Sequence, residues 1–226
     1  MKRIAIIGAG PMGLATAYYL TEKGFMPDLF ECDDRVGGMS ASFDFNGITI
    51  EKYYHFINRQ DKHLFELLKS LDIYDKLRWV HTKMGFFKKD RDGIPTLYEW
   101  GNPLALIKFK ESPLLTRLRY GVHVFLCKFY KDLSNLDDKK ATNWITSWEG
   151  KLGYQIFWEF LFKKKFFELS DNLSAAWIAA RIIRVANSRD SIMHESLGYL
   201  EGGTQILIDK LEKTIIDRGG TINLNS

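Results

Sequence analysis

The chain has 226 residues, 46% hydrophobic and 27% charged, with a formal net charge of +4. That composition excludes disordered and fibrous classes and leaves a globular chain long enough to bury a full core. The small net charge excludes the strongly basic footprint of a nucleic-acid binder.

The opening run, MKRIAIIGAGPMGLATAYYL, starts basic and continues uncharged, as a signal peptide or anchor does. Gly8, Gly10, Pro11 and Gly13 would break a membrane helix in its middle, and the run stops at Glu22 and Lys23. It is therefore read as neither a signal nor a membrane span. Arg3 to Ile7 instead predicts a short buried strand, rich in isoleucine and closed by glycine. A helix from about Met12 to Lys23 follows, stopped by Gly24. Pro27 to Glu31 predicts a second strand, and the three elements open a Rossmann-like βαβ unit.

The glycine spacing GxGxxG has a physical reason at each position. Gly8 permits the tight turn out of the strand. Gly10 lacks a Cβ, so a pyrophosphate can touch the backbone there. Gly13 lets the helix pack closely on the strand. With Pro11 and Met12, these residues form a loop that aims the helix N-terminus at the phosphates. Glu31 falls about twenty residues on, where a carboxylate accepts ribose hydroxyls and repels a 2′-phosphate. Cys32 follows it. Arg35 then adds a cation beside the same ligand, and Gly37 and Gly38 give the backbone a second close approach.

Downstream, FDFNGITIEKYYHFI alternates around Asn46-Gly47 and predicts a hairpin. Leu64, Leu67, Leu68 and Leu71 recur at helical spacing. KKDRDGIPTLYEW reads as a polar turn between strands. From Arg78 to Lys131, eleven basic residues face four acidic ones, interleaved with apolar side chains. Such a region meets an anionic membrane surface or an acidic substrate, or is a solvated face over a core. Aromatic residues are dense between Tyr53 and Phe167, which points to an apolar cavity or a greasy surface. Lys163, Lys164 and Lys165 stand among Trp158, Phe160, Phe162, Phe166 and Phe167, a pattern that suits helix packing with a basic tip. Asn187, Arg189, His194 and Glu195 fall in a loop able to reach a pocket. At the end, Gly202 and Gly203 lead a helix from about Thr204 to Asp217, and TINLN predicts a last strand. The two cysteines, Cys32 and Cys127, show no pairing pattern, and no metal-ligand spacing occurs. These features predict a reducing, cytoplasmic location and no metal.

IAIIGAGPMGLATAYYL, followed by LFECDDRVGG, resembles the opening of the flavin-containing amine oxidoreductases, which include protoporphyrinogen oxidases, carotenoid desaturases and monoamine oxidases. Glu31, Arg35, Gly37 and Gly38 match that family's acid-spacer-R-x-G-G pattern. Met39 departs from it, since many members carry arginine there. The resemblance implies FAD as cofactor, lying along the second glycine pair, with His55 near the flavin and Gly202 and Gly203 near flavin and substrate. It implies that the last strand returns to the dinucleotide-binding sheet. Residues 1–58 and 199–226 then form the FAD-binding domain, and 59–198 form a mainly helical substrate-domain insertion.

The implied activity is oxidation of a small organic substrate by hydride transfer to flavin. Relatives continue for about as long again. The chain is therefore expected to be an N-terminal fragment, inactive or weakly active alone and self-associating through the face left by the missing half. A sugar-nucleotide mutase, an NAD-dependent dehydrogenase and a non-catalytic nucleotide-binding remnant remain open. No nucleophile-base-acid arrangement stands out, so no catalytic residue is assigned.

Overall fold

The computed structural model describes residues 2–89, 92–191 and 193–226. Among these the chain runs β1 (Arg3–Ile7), α1 (Pro11–Glu22), β2 (Met26–Phe30), β3 (Ser42–Phe45), β4 (Ile48–Glu51), α2 (Lys62–Ser70) and β5 (Leu77–Thr82). It continues through β6 (Met84–Lys89), β7 (Pro95–Trp100), α3 (Pro103–Lys108), α4 (Leu114–Cys127), α5 (Ser134–Asp137) and α6 (Ala141–Phe157). Last come α7 (Glu159–Phe166), α8 (Ala175–Asn187), β8 (Glu195–Leu200), α9 (Gln205–Asp217) and β9 (Thr221–Asn223). Contacts divide the chain into two compact units, residues 1–57, 61–80 and 198–226, and residues 58–60 and 81–197.

The first unit is built on a parallel sheet in the order β1-β2-β9. Ile6 stands opposite Leu29, and Leu29 opposite Ile222, so apolar side chains align across the strands. Parallel strands need a crossover, and α1 supplies it between β1 and β2. α1 buries Leu14, Ala17 and Tyr18, and α9 buries Ile208, Leu211 and Ile215 into the same core. Each large apolar side chain removed from water there contributes about 1.5–3 kcal/mol. Arg218 covers the Tyr18 ring at 5.0 Å. The return of the last strand to this sheet agrees with the expectation from the resemblance. The β3–β4 hairpin turns at Asn46 and Gly47, both at positive φ, the geometry of a tight two-residue turn.

One boundary differs from the sequence reading. Residues 61–80, expected in the insertion, belong with the first unit. The cause is packing, because Leu67, Leu68 and Leu71 of α2 and the segment behind it enter the core that holds Leu14 and Leu29.

The second unit is mainly helical, with the antiparallel β6–β7 ladder at its start. The turn expected between those strands contains Asp90 and Arg91, which lie outside the described residues. The dense aromatics of this unit pack on one another: Trp100 meets Phe109 at 5.3 Å and Tyr120 meets Phe157 at 4.6 Å. A second apolar cluster joins Trp144, Ile145, Phe162 and Ile178. Inside it the Glu149 carboxylate accepts from His123 Nδ1 at 2.7 Å and from Trp158 Nε1 at 2.8 Å. The His123 ring stacks on Trp148 at 5.4 Å. α6 kinks at Gly150, next to that carboxylate, with φ at 77°.

Candidate functional site

β1 ends at Ile7, and the next residue continues the ladder: the Gly8 N–H donates to the Phe30 carbonyl at 2.7 Å. Gly8 has φ at +93°, which an L side chain rarely adopts, so glycine is required for the turn. A Cβ on Gly13 would fall 1.9 Å from the Gly8 carbonyl oxygen. α1 therefore lies against the end of β1 with no room for a methyl group. Gly10 is the opposite case, with no heavy atom within 4 Å of where its Cβ would be.

Gly10 is also the N-cap residue of α1, and no side chain caps the helix. Pro11 has no N–H, and the first helical bond runs from the Leu14 N–H to the Gly10 carbonyl. The Met12 and Gly13 N–H groups thus stand at the positive end of the helix dipole, with no acidic residue in the first turn.

Glu31 is 7% exposed and is tied to this turn. Its Oε2 accepts from the Ala9 N–H at 2.6 Å, and its Oε1 accepts from the Asp33 N–H at 3.0 Å and from Cys32 Sγ at 3.4 Å. These backbone donors, Asp33 first and Ala9 second, hold the carboxyl below the ordinary glutamate range, so it is ionised at neutral pH. Sequence reasoning assigned Glu31 to a ligand's ribose; the structure adds that the same carboxylate shapes the loop.

The second glycine pair closes on the first. The Gly37 N–H donates to the Ala9 carbonyl at 2.8 Å, and a Cβ on Gly38 would lie 3.2 Å from the Gly10 Cα. Both glycines have positive φ. Met39 is exposed, and the Ser40 carbonyl accepts from the Thr204 hydroxyl at 2.8 Å. His55 Nε2 lies 3.5 Å from Ser40 Oγ, and its Nδ1 lies 3.8 Å from Glu51 Oε2. Glu51 Oε1 in turn accepts the Thr204 N–H at 2.7 Å, just past Gly202 and Gly203. The expected residues from the two glycine pairs, His55 and Gly202–Gly203 are thereby brought into one chain of contacts.

Arg35 is placed differently. Its Nε donates to Asp34 Oδ1 at 2.8 Å, so its charge is already matched. It lines an open cleft of about 400 Å³ together with Asp34, Ser42, Gln205 and Glu212. Sequence reasoning missed Ser40, Glu51 and the backbone N–H of Ala9. Only Thr204, a hydroxyl residue at the head of a helix, carried a signal that could have been read.

In the second unit, Arg189, His194 and Glu195 line a smaller cleft of about 160 Å³ with Thr82, Met84 and Trp100. His194 stacks on His81 at 5.3 Å, and His81 Nε2 lies 2.8 Å from Asp190 Oδ2. Asn187 ends α8. Among the described residues, no group of three or more His, Cys, Asp or Glu could hold a metal ion. None of their helices is long and apolar enough to cross a membrane.

The profile of the flavin containing amine oxidoreductase family matches residues 13–226. The chain belongs to that family. Its cofactor is accordingly FAD. Among curated relatives, protoporphyrinogen oxidase 2 of Arabidopsis thaliana is 29% identical over 62% of this chain and 27% of its own length. The 15-cis-phytoene desaturase of Synechococcus elongatus is 23% identical over 99% of this chain and 49% of its own. The chain thus spans about half the length, or less, of these relatives. Among solved structures, an oxidoreductase from Methanosarcina mazei superposes with a TM-score of 0.68 at 17% identity, over all of this chain and 51% of that one. At that identity the likeness shows the fold, an α/β dinucleotide-binding architecture with helical insertion.

The residues of the first unit fit the cofactor of this family. The open space at Gly10, the uncapped N–H groups of α1 and the close approach of Gly38 are what backbone binding of a phosphate requires.

Proposed function

We propose that this chain supplies the FAD-binding part and the helical insertion of an FAD-dependent oxidoreductase that oxidises a small organic substrate. The observation that carries the reading is the contrast within the glycine turn. Gly13 is sterically closed, and Gly10 is open beside an uncapped helix N-terminus.

In this reading the Met12 and Gly13 N–H groups bind the pyrophosphate, with Pro11 setting the first helical residue without contributing a donor. Glu31 keeps Ala9 in place and offers the free lone pair of Oε2 to a ribose hydroxyl. Its negative charge selects against a 2′-phosphate. Gly37 and Gly38 leave the backbone bare along the bound dinucleotide, with Cys32 and Met39 at its borders. His55, Gly202 and Gly203 stand at the far end of the same contact chain. Bound there, the isoalloxazine supplies a two-electron acceptor for hydride. The chain's own task is to position that group and exclude water from it.

Because the relatives are about twice as long, turnover is proposed to need segments that correspond to their second half. The two unpaired cysteines suit a reducing, cytoplasmic setting. The purified protein, incubated with FAD and freed of excess, tests the reading by its absorption spectrum. Retained flavin bands support it. Retention of NADP with no flavin overturns it, and turnover of a bound flavin with no net oxidation would assign a mutase instead.

A further inference from the structure

Glu51, the last residue of β4, closes a ring of contacts within the first unit. Its Oε1 accepts the Thr204 N–H, just ahead of α9, at 2.7 Å. Its Oε2 is turned to His55 Nδ1 at 3.8 Å, within ion-pair reach. The other ring nitrogen of His55 lies 3.5 Å from Ser40 Oγ. The Thr204 hydroxyl completes the ring by donating to the Ser40 carbonyl at 2.8 Å. The carboxylate also lies against the Gly202–Gly203 turn, since a Cβ on Gly203 would stand 3.2 Å from Oε1. Lys52, the next residue along the chain, is turned to Asp33 instead, at 3.1 Å.

These contacts decide where the single proton of a neutral His55 ring sits. Nδ1 is shut off from water, and among the described residues it has no hydrogen-bond partner. The group it faces is the carboxylate, which only accepts hydrogen bonds. A bare Nδ1 lone pair there would confront a second lone pair and a negative charge, with no water between them. The Ser40 hydroxyl, by contrast, both donates and accepts, so it suits either form of Nε2. The acceptor-only partner therefore dictates the tautomer, and the hydroxyl adapts to it.

We infer that Glu51 is a positioning residue that holds His55 as the Nδ1–H tautomer. Nε2 then presents a bare lone pair beside Ser40, next to the second glycine pair. That atom takes an N–H or O–H group of a ligand in place of the Ser40 hydroxyl, and it turns away a carbonyl oxygen. Through the Thr204 N–H the same carboxylate ties this choice to the Gly202–Gly203 turn. Its bearing on the flavin rests on the FAD reading above; the tautomer belongs to the protein without cofactor.

The test is nitrogen-15 NMR of the imidazole rings in the cofactor-free protein at about pH 8.5, well above the ordinary imidazole range. His55 is assigned by the signal lost in His55→Gln. In the wild type its proton should sit on Nδ1, with Nε2 bare. In Glu51→Gln the amide oxygen can keep the Thr204 N–H while the amide nitrogen faces Nδ1 as a donor. The proton should then move to Nε2, reversing the tautomer. Ser40→Ala should keep the wild-type tautomer. A wild-type ring protonated on Nε2 overturns the inference, as does a Glu51→Gln ring that keeps the proton on Nδ1. Reversal in Ser40→Ala would also overturn it, by giving the hydroxyl the deciding role. Since no cofactor is present, these outcomes stand apart from whether the chain binds FAD.

Discussion

Replacing Gly13 by alanine and Gly10 by valine should separate folding from ligand binding within one turn. The alanine methyl of Gly13→Ala would stand 1.9 Å from the Gly8 carbonyl oxygen and 3.1 Å from its carbon. An ordinary C···O contact is about 3.3 Å, so α1 must move roughly 1.4 Å away from β1. The obstacle is backbone and cannot swing aside. The cost belongs at the upper end of the overpacking range, about 3 kcal/mol, less up to ~1 kcal/mol of helix propensity gained over glycine. A net loss of about 2–3 kcal/mol lowers the melting temperature of a protein this long by about 4–12 °C. Gly10→Val meets nothing within 4 Å, and its φ of −70° and ψ of 178° suit a β-branched residue. Its melting temperature without ligand should therefore stay within about 1 °C of wild type, since an open surface position gives little to lose. Its side chain fills the space where the pyrophosphate would touch the backbone, so FAD affinity should fall at least about tenfold. The assays are thermal unfolding by far-UV circular dichroism and FAD titration by flavin fluorescence. A Gly13→Ala variant that melts like wild type would refute the close helix–strand packing. A Gly10→Val variant with unchanged FAD affinity would refute the phosphate site.

Glu31→Gln should cost both stability and FAD binding, by about 1–3 kcal/mol each, because one amide face presents a donor to a backbone N–H that needs an acceptor. The Glu31 carboxyl is held below its ordinary 4.5, so its contribution is present above that pH and disappears as pH falls through the lowered value. The gap in melting temperature between wild type and Glu31→Gln should accordingly be full at neutral pH and close in acid. A gap independent of pH would count against the assigned hydrogen bonds. Iodoacetamide should modify exposed Cys32 and spare Cys127, whose thiol is pushed up to about 12 by burial and then by the Glu149 charge. Mass spectrometry of the native protein should find one adduct, formed more slowly with FAD present. Glu149→Ala leaves the buried donors on His123 and Trp158 without an acceptor and should destabilise the second unit by about 2–5 kcal/mol, read by tryptophan fluorescence on heating. A change below ~1 kcal/mol would mean that water reaches those groups.

Features whose cause is local were legible in the sequence. Gly8, Gly10 and Gly13 each answer a steric demand made within a few residues, and Asn46-Gly47 defines its hairpin in the same way. Leu64, Leu67, Leu68 and Leu71 show a helix by spacing, but spacing cannot say which core receives it. That depends on the packing of α2 with Leu14 and Leu29, and so the unit boundary moved. Glu31 was found as an acid at the end of a strand. Its second role was hidden because its partners are backbone N–H groups, which every sequence contains. Arg35 was read as a cation beside the ligand, and the fold adds that its guanidinium donates to its neighbour Asp34. α4 is the clearest case of pattern and packing in conflict. Spacing alone would send Leu115, Leu118, Val122 and Phe125 inward, whereas the fold buries Thr116, His123 and Cys127 and leaves those side chains exposed. The kink at Gly150 was equally unreadable, since glycine within a helical pattern marks a break only when the chain around it requires one.

Hydrogen exchange of the backbone amides, followed residue by residue with and without FAD, tests the location of the cofactor most directly. FAD should slow exchange at Met12 and Gly13 and across Gly37–Ser40, two segments that meet at Gly10 and Gly38. Protection confined to other parts of the chain, with these two segments unchanged while FAD is bound, would contradict the account.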